Sequence, residues 1–120
     1  AVIDLDLARC QAVAAECGPN ARAYALDVAD GAAIAPVVAQ VAEDFGGIDI
    51  LVNNAGVSSF CALDDPAYEK VWHRALAVML TSHQRMVRAC LPFLRQSDAP
   101  RIVNIASTEG LGATPGDTPY

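Results

Sequence analysis

Short apolar runs alternate with longer stretches of helical periodicity along all 120 residues, and this alternation leaves few folds open. Residues 1–5 form a compact apolar run ending on Asp4-Leu5-Asp6, which predicts a buried strand. Residues 7–17 follow with Cys10, Val13, Ala14 and Cys17 at helical spacing, and Gly18-Pro19 stops them. Residues 21–28 predict a second strand. Asp30 is placed to cap a helix whose apolar positions Val37, Val38, Val41 and Phe45 fall 3, 4, 7 and 11 residues after Ile34. Gly46-Gly47 ends it, and Pro36 predicts a kink in its first turns. Residues 48–53 predict a third strand. Asp65-Pro66 reads as an N-cap followed by proline at the first helical position. Helical periodicity then runs, in one or two pieces, to about Leu94. Residues 101–106 predict a fourth strand, and the Gly-, Pro- and Thr-rich residues 110–119 a loop. The order β-α-β-α-β-α-β implies an α/β fold, with a doubly wound parallel sheet covered by helices on both faces.

Composition narrows the function classes. Apolar residues make up 53% of the chain and charged residues 18%, so there is ample surface to bury and disorder is excluded. Eight Lys and Arg face 14 Asp and Glu, a net charge of −6 that repels phosphate backbones and anionic lipid heads, so neither nucleic acid nor a membrane is an expected partner. The apolar residues 32–39 are too few to span a bilayer and are interrupted by Pro36. Cys10, Cys17, Cys61 and Cys90 form no C-x-x-C pair, and His73 and His83 lie ten residues apart. No metal site is expected from that spacing. The thiols read as small buried side chains in a reducing, cytoplasmic compartment. The chain opens on Ala1-Val2 without Met and stops at Pro119-Tyr120, so it is expected to be an internal piece of a longer chain.

In a doubly wound sheet, ligands bind at the carboxyl ends of the strands. Asp4 and Asp6, Asp27, Asn53-Asn54 and Ser107-Thr108 all fall there. A carboxylate at Asp4 can accept both ribose hydroxyls of an adenosine and repels a 2′-phosphate, which favours NAD over NADP. The competing reading is that Asp4 or Asp6 caps the following helix. Asp27-Val28 can accept an adenine amino group and pack beside the ring, or can be a solvated turn. Asn53-Asn54-Ala55-Gly56 puts two amides and two small residues after a buried strand, which lets backbone approach a ligand closely. Tyr120 lies 13 residues after Ser107. A phenol acts as acid and base if its pKa falls from about 10 toward neutrality, which needs a nearby cation.

Together these residues resemble the middle of a short-chain dehydrogenase/reductase. The carriers are Asp4-Leu5-Asp6, Asp27-Val28, Ile48-Asp49-Ile50-Leu51-Val52-Asn53-Asn54-Ala55-Gly56, Arg101-Ile102-Val103-Asn104-Ile105-Ala106-Ser107 and Tyr120, and the match covers essentially the whole chain. The resemblance implies a Rossmann fold that is incomplete, lacking its first strand and its C-terminal part, with residues 1–120 a partial NAD(P)-binding domain. It implies cofactor contacts at Asp4, Asp27, Val28, Asn54, Ala55, Gly56 and Tyr120, with Asn53 supporting the sheet. Ser107 would polarise the substrate carbonyl, and Tyr120 would be the catalytic acid/base. The implied reaction is reversible hydride transfer between the nicotinamide and a secondary alcohol or ketone, with NAD as cofactor. The family often forms tetramers through its long helices. Trp72, Leu76, Leu80 and Met86 therefore face either the core or a partner in a tetramer or dimer.

Three departures stand out. The glycine-rich turn that cradles a pyrophosphate would precede Ala1. The lysine expected four residues after Tyr120 lies past the end. Val78-Met79-Leu80 stands where the family usually has Val-Asn-Leu, and a thioether cannot donate a hydrogen bond. Met79 is the one support for an alternative, a cofactor-binding but catalytically idle binding or scaffold module. A doubly wound domain of another kind would place an acidic phosphate or metal cluster at the strand ends, and Asn-Asn-Ala-Gly argues against it. Without the first strand, the pair 1–5 and 21–28 should have no direct partner in the pair 48–53 and 101–106. A gap of about 9–10 Å, two strand spacings, with bare facing edges is expected. Phe60, Leu111 and Ala113 near the pocket hint at an apolar substrate.

Overall fold

The computed structural model describes residues 1–112 and 114–120. Ala113, one of the three apolar loop residues, lies outside them. Strand β1 (Val2–Asp4) and β2 (Ala23–Ala25) are joined by helix α1 (Leu7–Cys17), and α2 (Gly31–Phe45) leads on to β3 (Ile50–Asn53). Helix α3 (Tyr68–Leu76), a π turn (Ala77–Thr81) and α4 (Ser82–Leu94) then form one helical crossover to β4 (Arg101–Asn104). Both strand pairs are parallel, with Asp4 opposite Ala25 and Asn53 opposite Asn104. Parallel neighbours need such a crossover, which is why each pair brackets a helix.

Local chemistry sets the element ends. Asp6 caps α1, its carboxylate accepting the N–H groups of Ala8 and Arg9 at 3.0 and 3.2 Å. The cap therefore belongs to Asp6 and leaves Asp4 available. Gly18, at φ 101°, ends the helix in a region that a side chain would strain. Asp30 caps α2 through Ala32 N–H at 2.9 Å. The helix runs unbroken through Pro36, so the proline deletes one backbone donor without ending it. Asp65-Pro66 is a correction. Asp65 holds a turn instead of the cap, accepting Ala67 N–H at 2.7 Å, and α3 begins only at Tyr68. The four strands are also shorter than the apolar runs that announced them. In the second run, Asp27 folds the chain into a turn by accepting Ala29 N–H at 2.9 Å, so β2 stops at Ala25.

The core lies between α2, α4 and the strands. Leu26, Ile34, Val38, Leu51, Met86, Cys90 and Leu94 are buried together, and Ile3 of β1 packs against them. Helix α1 lies against β1 and β2, with Cys10 and Ala14 buried. Met86 thus faces the core and Leu76 is half-buried, whereas Trp72 and Leu80 are exposed. Trp72 stacks on Tyr68, with centroids 6.3 Å apart.

The two strand pairs do not join. Each is a separate two-stranded sheet, and β1 does not pair with β3. Along β3, Leu51 and Asn53 are buried while Ile50 and Val52 are 58% and 53% exposed. One edge of β1 and one of β3 are thus left without a ladder among the described residues.

The thiols divide in a way the sequence did not show. Cys10 and Cys90 are buried, Cys61 is half-buried and Cys17 is exposed, so Cys17 and, in part, Cys61 depart from the expectation of buried thiols. Burial pushes the Cys90 thiol up to about 11. A thiolate is the species that alkylates. Iodoacetamide at pH 8 should therefore modify Cys17 in the native protein and spare Cys10 and Cys90. Peptide mass spectrometry would check this, and equal labelling of all the thiols would contradict the packing.

Candidate active site

Between the two sheets lies a cavity of about 350 Å³. Its walls are Ile3 and Asp4 on one side and residues 47–55 on the other, with Val38, Val41, Met86 and Cys90 beneath. Most of it is apolar and runs beside the two bare edges. Its lining also includes the polar residues Asp4, Asn53 and Asn54, together with Val28 and Ala55. Two of the polar strand ends singled out from the sequence, Asp4 and Asn53-Asn54, therefore line one cavity with Val28, whereas Asp27 itself does not line it.

Asp4 ends β1, and its Oδ1 accepts Asp6 N–H at 3.1 Å, which fixes the side chain without using up its acceptors. Asn53 is 5% exposed and donates from Nδ2 to Asn104 Oδ1 at 2.8 Å. That bond ties the ends of β3 and β4 together. Asn54 and Ala55 line it. A Cβ added at Gly56 would find its nearest neighbour, the Asn54 carbonyl oxygen, at 4.0 Å, so the chain leaves that face open. A carboxylate with free lone pairs, an apolar wall and an uncovered stretch of backbone fit the ribose and adenine of a dinucleotide.

Asp27 is engaged within the protein. Arg74 Nη1 donates to its Oδ1 and Oδ2 at 3.2 and 3.1 Å. The Ala29 N–H, and then Arg74, hold the Asp27 carboxyl below the usual carboxylate range. Arg85 Nη1 donates to the Ala29 carbonyl oxygen at 3.3 Å. A side chain at Gly31 would collide with that guanidinium, its Cβ only 2.7 Å from Nη1. Nothing in the spacing of the sequence links position 27 with positions 74 and 85, so both arginines escape a reading by motif.

Ser107 follows β4 and caps a short 3₁₀ turn (Thr108–Gly110), its Oγ accepting Glu109 N–H at 3.3 Å. The hydroxyl proton is then free to donate outward. Ser107 does not line the cavity. Tyr120 is 46% exposed. Its approach is tethered to the loop after β3. Cys61 N–H donates to the Gly116 carbonyl at 2.8 Å, Ser59 Oγ donates to Asp117 Oδ1 at 3.3 Å, and the Tyr68 and Thr118 hydroxyls lie 3.0 Å apart. Ser59 is buried, which no sequence signal announced. Phe60 and Leu111 are exposed. Met79 lies inside the π turn, where Ser82 N–H reaches back five residues to the Ala77 carbonyl. Such turns are frequent at functional sites.

Parallel strands, helical crossovers and a polar opening at the strand ends define a nucleotide-binding α/β domain of the Rossmann type. The chain belongs to the short chain dehydrogenase family, whose model matches residues 1–120. It is 37% identical over 117 residues to D-beta-hydroxybutyrate dehydrogenase of Cupriavidus necator, covering 98% of this chain and 45% of that protein. It is 37% identical over 110 residues to galactitol 2-dehydrogenase of Agrobacterium fabrum, covering 91% of this chain and 43% of that one. The crystal structure of NAD+-bound xylitol dehydrogenase superposes with a TM-score of 0.86 at 31% identity, covering 98% of this chain and 46% of the other. A metagenomic short-chain oxidoreductase in complex with NADP gives 0.84 at 30% identity, covering 98% and 55%. The chain spans less than half the length of the two curated relatives. Among the described residues, no helix is long and apolar enough to cross a membrane.

Proposed function

We propose that these residues form the cofactor-binding part of an NAD-dependent oxidoreductase acting on a small secondary alcohol or ketone. The observation that carries the reading is the shared opening of Asp4, Val28, Asn54 and Ala55. Asp4 accepts the adenosine ribose hydroxyls, Asp27 and Val28 receive the adenine, and Asn54, Ala55 and Gly56 leave room for the cofactor backbone. A bound nicotinamide would supply the hydride chemistry. Ser107 donates its free proton to the substrate oxygen, and Tyr120 gives or takes the proton on that oxygen and contacts the cofactor. The apolar remainder of the cavity, with a bare strand edge on each side, suits one further strand of the complete chain. Such a strand would satisfy both rows of amides and carbonyls. The exposed Trp72 and Leu80 support assembly as a homodimer or homotetramer, and the acidic charge and free thiols suit the cytoplasm.

Cofactor choice tests the reading. In the complete protein NAD should bind at least tenfold tighter than NADP. Asp4→Ala should weaken NAD by roughly tenfold, the worth of a charge-assisted hydrogen bond, and remove the preference. Calorimetric titration measures both. Tighter binding of NADP by the native protein would contradict the role of Asp4. Met79 favours a second reading, the idle binding module. Absorbance at 340 nm separates the two, because turnover of any member of a secondary-alcohol panel removes the idle reading.

A further inference from the structure

The turn that carries Asp27 is held from one direction by two arginines of the α3–α4 crossover. Arg74 reaches the carboxylate and Arg85 reaches the Ala29 carbonyl. These contacts do different things. Arg85 fixes the backbone of the turn, and Gly31 leaves the space for it. Arg74 fixes the rotation of one carboxylate.

The lone pairs of Asp27 can be counted. A carboxylate offers about four acceptor positions, two on each oxygen. Oδ1 receives Ala29 N–H at 2.9 Å and Arg74 Nη1 at 3.2 Å, so both of its positions are taken. Oδ2 receives Arg74 Nη1 at 3.1 Å and keeps one. Without Arg74, one backbone bond would remain, and the group could turn about its Cβ–Cγ bond and present either oxygen in a range of directions.

We propose that Arg74 is a positioning residue for base recognition, holding Asp27 so that a single acceptor, on Oδ2, is presented to an exocyclic amine of the cofactor's base. This rests on the reading of Asp27 as the adenine contact. It adds a source for the selectivity, namely that a residue 47 positions away makes the site choose a 6-amino over a 6-keto purine. A keto oxygen in the same place would meet a fixed acceptor and be repelled. The Arg74 and Asp27 side chains are 43% and 36% exposed, so the pair is open to solvent beside Val28, which lines the cavity.

The test compares two probes, NAD and its hypoxanthine counterpart, whose base carries a keto oxygen where adenine carries the amine. Dissociation constants are measured by calorimetry on the complete protein, without turnover. The native protein should prefer NAD by roughly tenfold or more. Arg74→Ala should reduce the preference to within about threefold, with Arg74→Lys falling between. Arg85→Ala loosens the same turn without touching the carboxylate and should keep the native ratio. If Arg74→Ala does not fold, Arg74→Lys and Arg74→Gln carry the comparison. An unchanged ratio in the Arg74 variants, or an equal collapse in Arg85→Ala, would overturn the proposal. A native protein that binds both probes equally would remove the role of Asp27 in base recognition. Failure to bind either would remove the dinucleotide reading itself.

Discussion

Tyr120→Phe in the complete protein should lower turnover by two to four orders of magnitude while the dissociation constant for NAD stays within a few fold. Loss of a positioned general acid or base has that size. The hydroxyl is the only group removed, and the ring remains to pack. Ser107→Ala should cost about two to three orders, the usual effect of deleting a donor to a developing oxyanion. The tethers from Ser59 and Tyr68 to residues 116–118 give this prediction its structural content, because they hold the approach to Tyr120 against the loop after β3. Steady-state rates followed at 340 nm, together with NAD titration, provide the two readouts. A Tyr120→Phe variant retaining more than about a tenth of native turnover would assign the proton to another group.

Residues 1–120 expressed alone should show no cooperative thermal transition. The reason is the gap. Two sheets of two strands each carry a bare edge along an apolar cavity, and two strands without further pairing are marginal in water. Unpaired buried amides and carbonyls would cost more than the small α2–α4 core returns. The 120-mer should instead give a broad melt by circular dichroism and bind a dye that reports exposed apolar surface. Ile50, Val52, Ile102 and Ile105 are already exposed to receive it. A sharp melt with matching near- and far-ultraviolet transitions would show that the two halves hold together without a strand between them.

Much of this organisation could be read from residue order, and the limits of that reading are physical. The periodicity of residues 7–17 and the cap at Asp30 gave α1 and α2 their observed bounds, because those signals are local. The apolar runs are longer than the strands they contain. An apolar run reports burial, whereas a ladder needs a neighbour in register, and Asp27 turns the chain away before the run ends. Asp65-Pro66 misplaced the start of α3 because an aspartate before a proline serves a turn as well as a helix. At the site, the two roles of Asp4 and Asp6 were equivalent in sequence and were separated only by the bonds from Ala8 and Arg9 to Asp6. Arg74, Arg85 and the Ser59–Asp117 bond were not legible at all, since each joins segments far apart in the chain.

The carboxylate at the end of β1, the amide after β3 and the hydroxyl after β4 are proposed to surround one dinucleotide. A crystal structure of the complete protein with NAD measures this directly. It should place the Asp4 carboxylate about 3 Å from the adenosine ribose hydroxyls, the backbone at Asn54 and Ala55 along the cofactor, and Ser107 at its nicotinamide end. An adenosine bound away from Asp4, or Asp4 and Ser107 on opposite faces of the molecule, would contradict it.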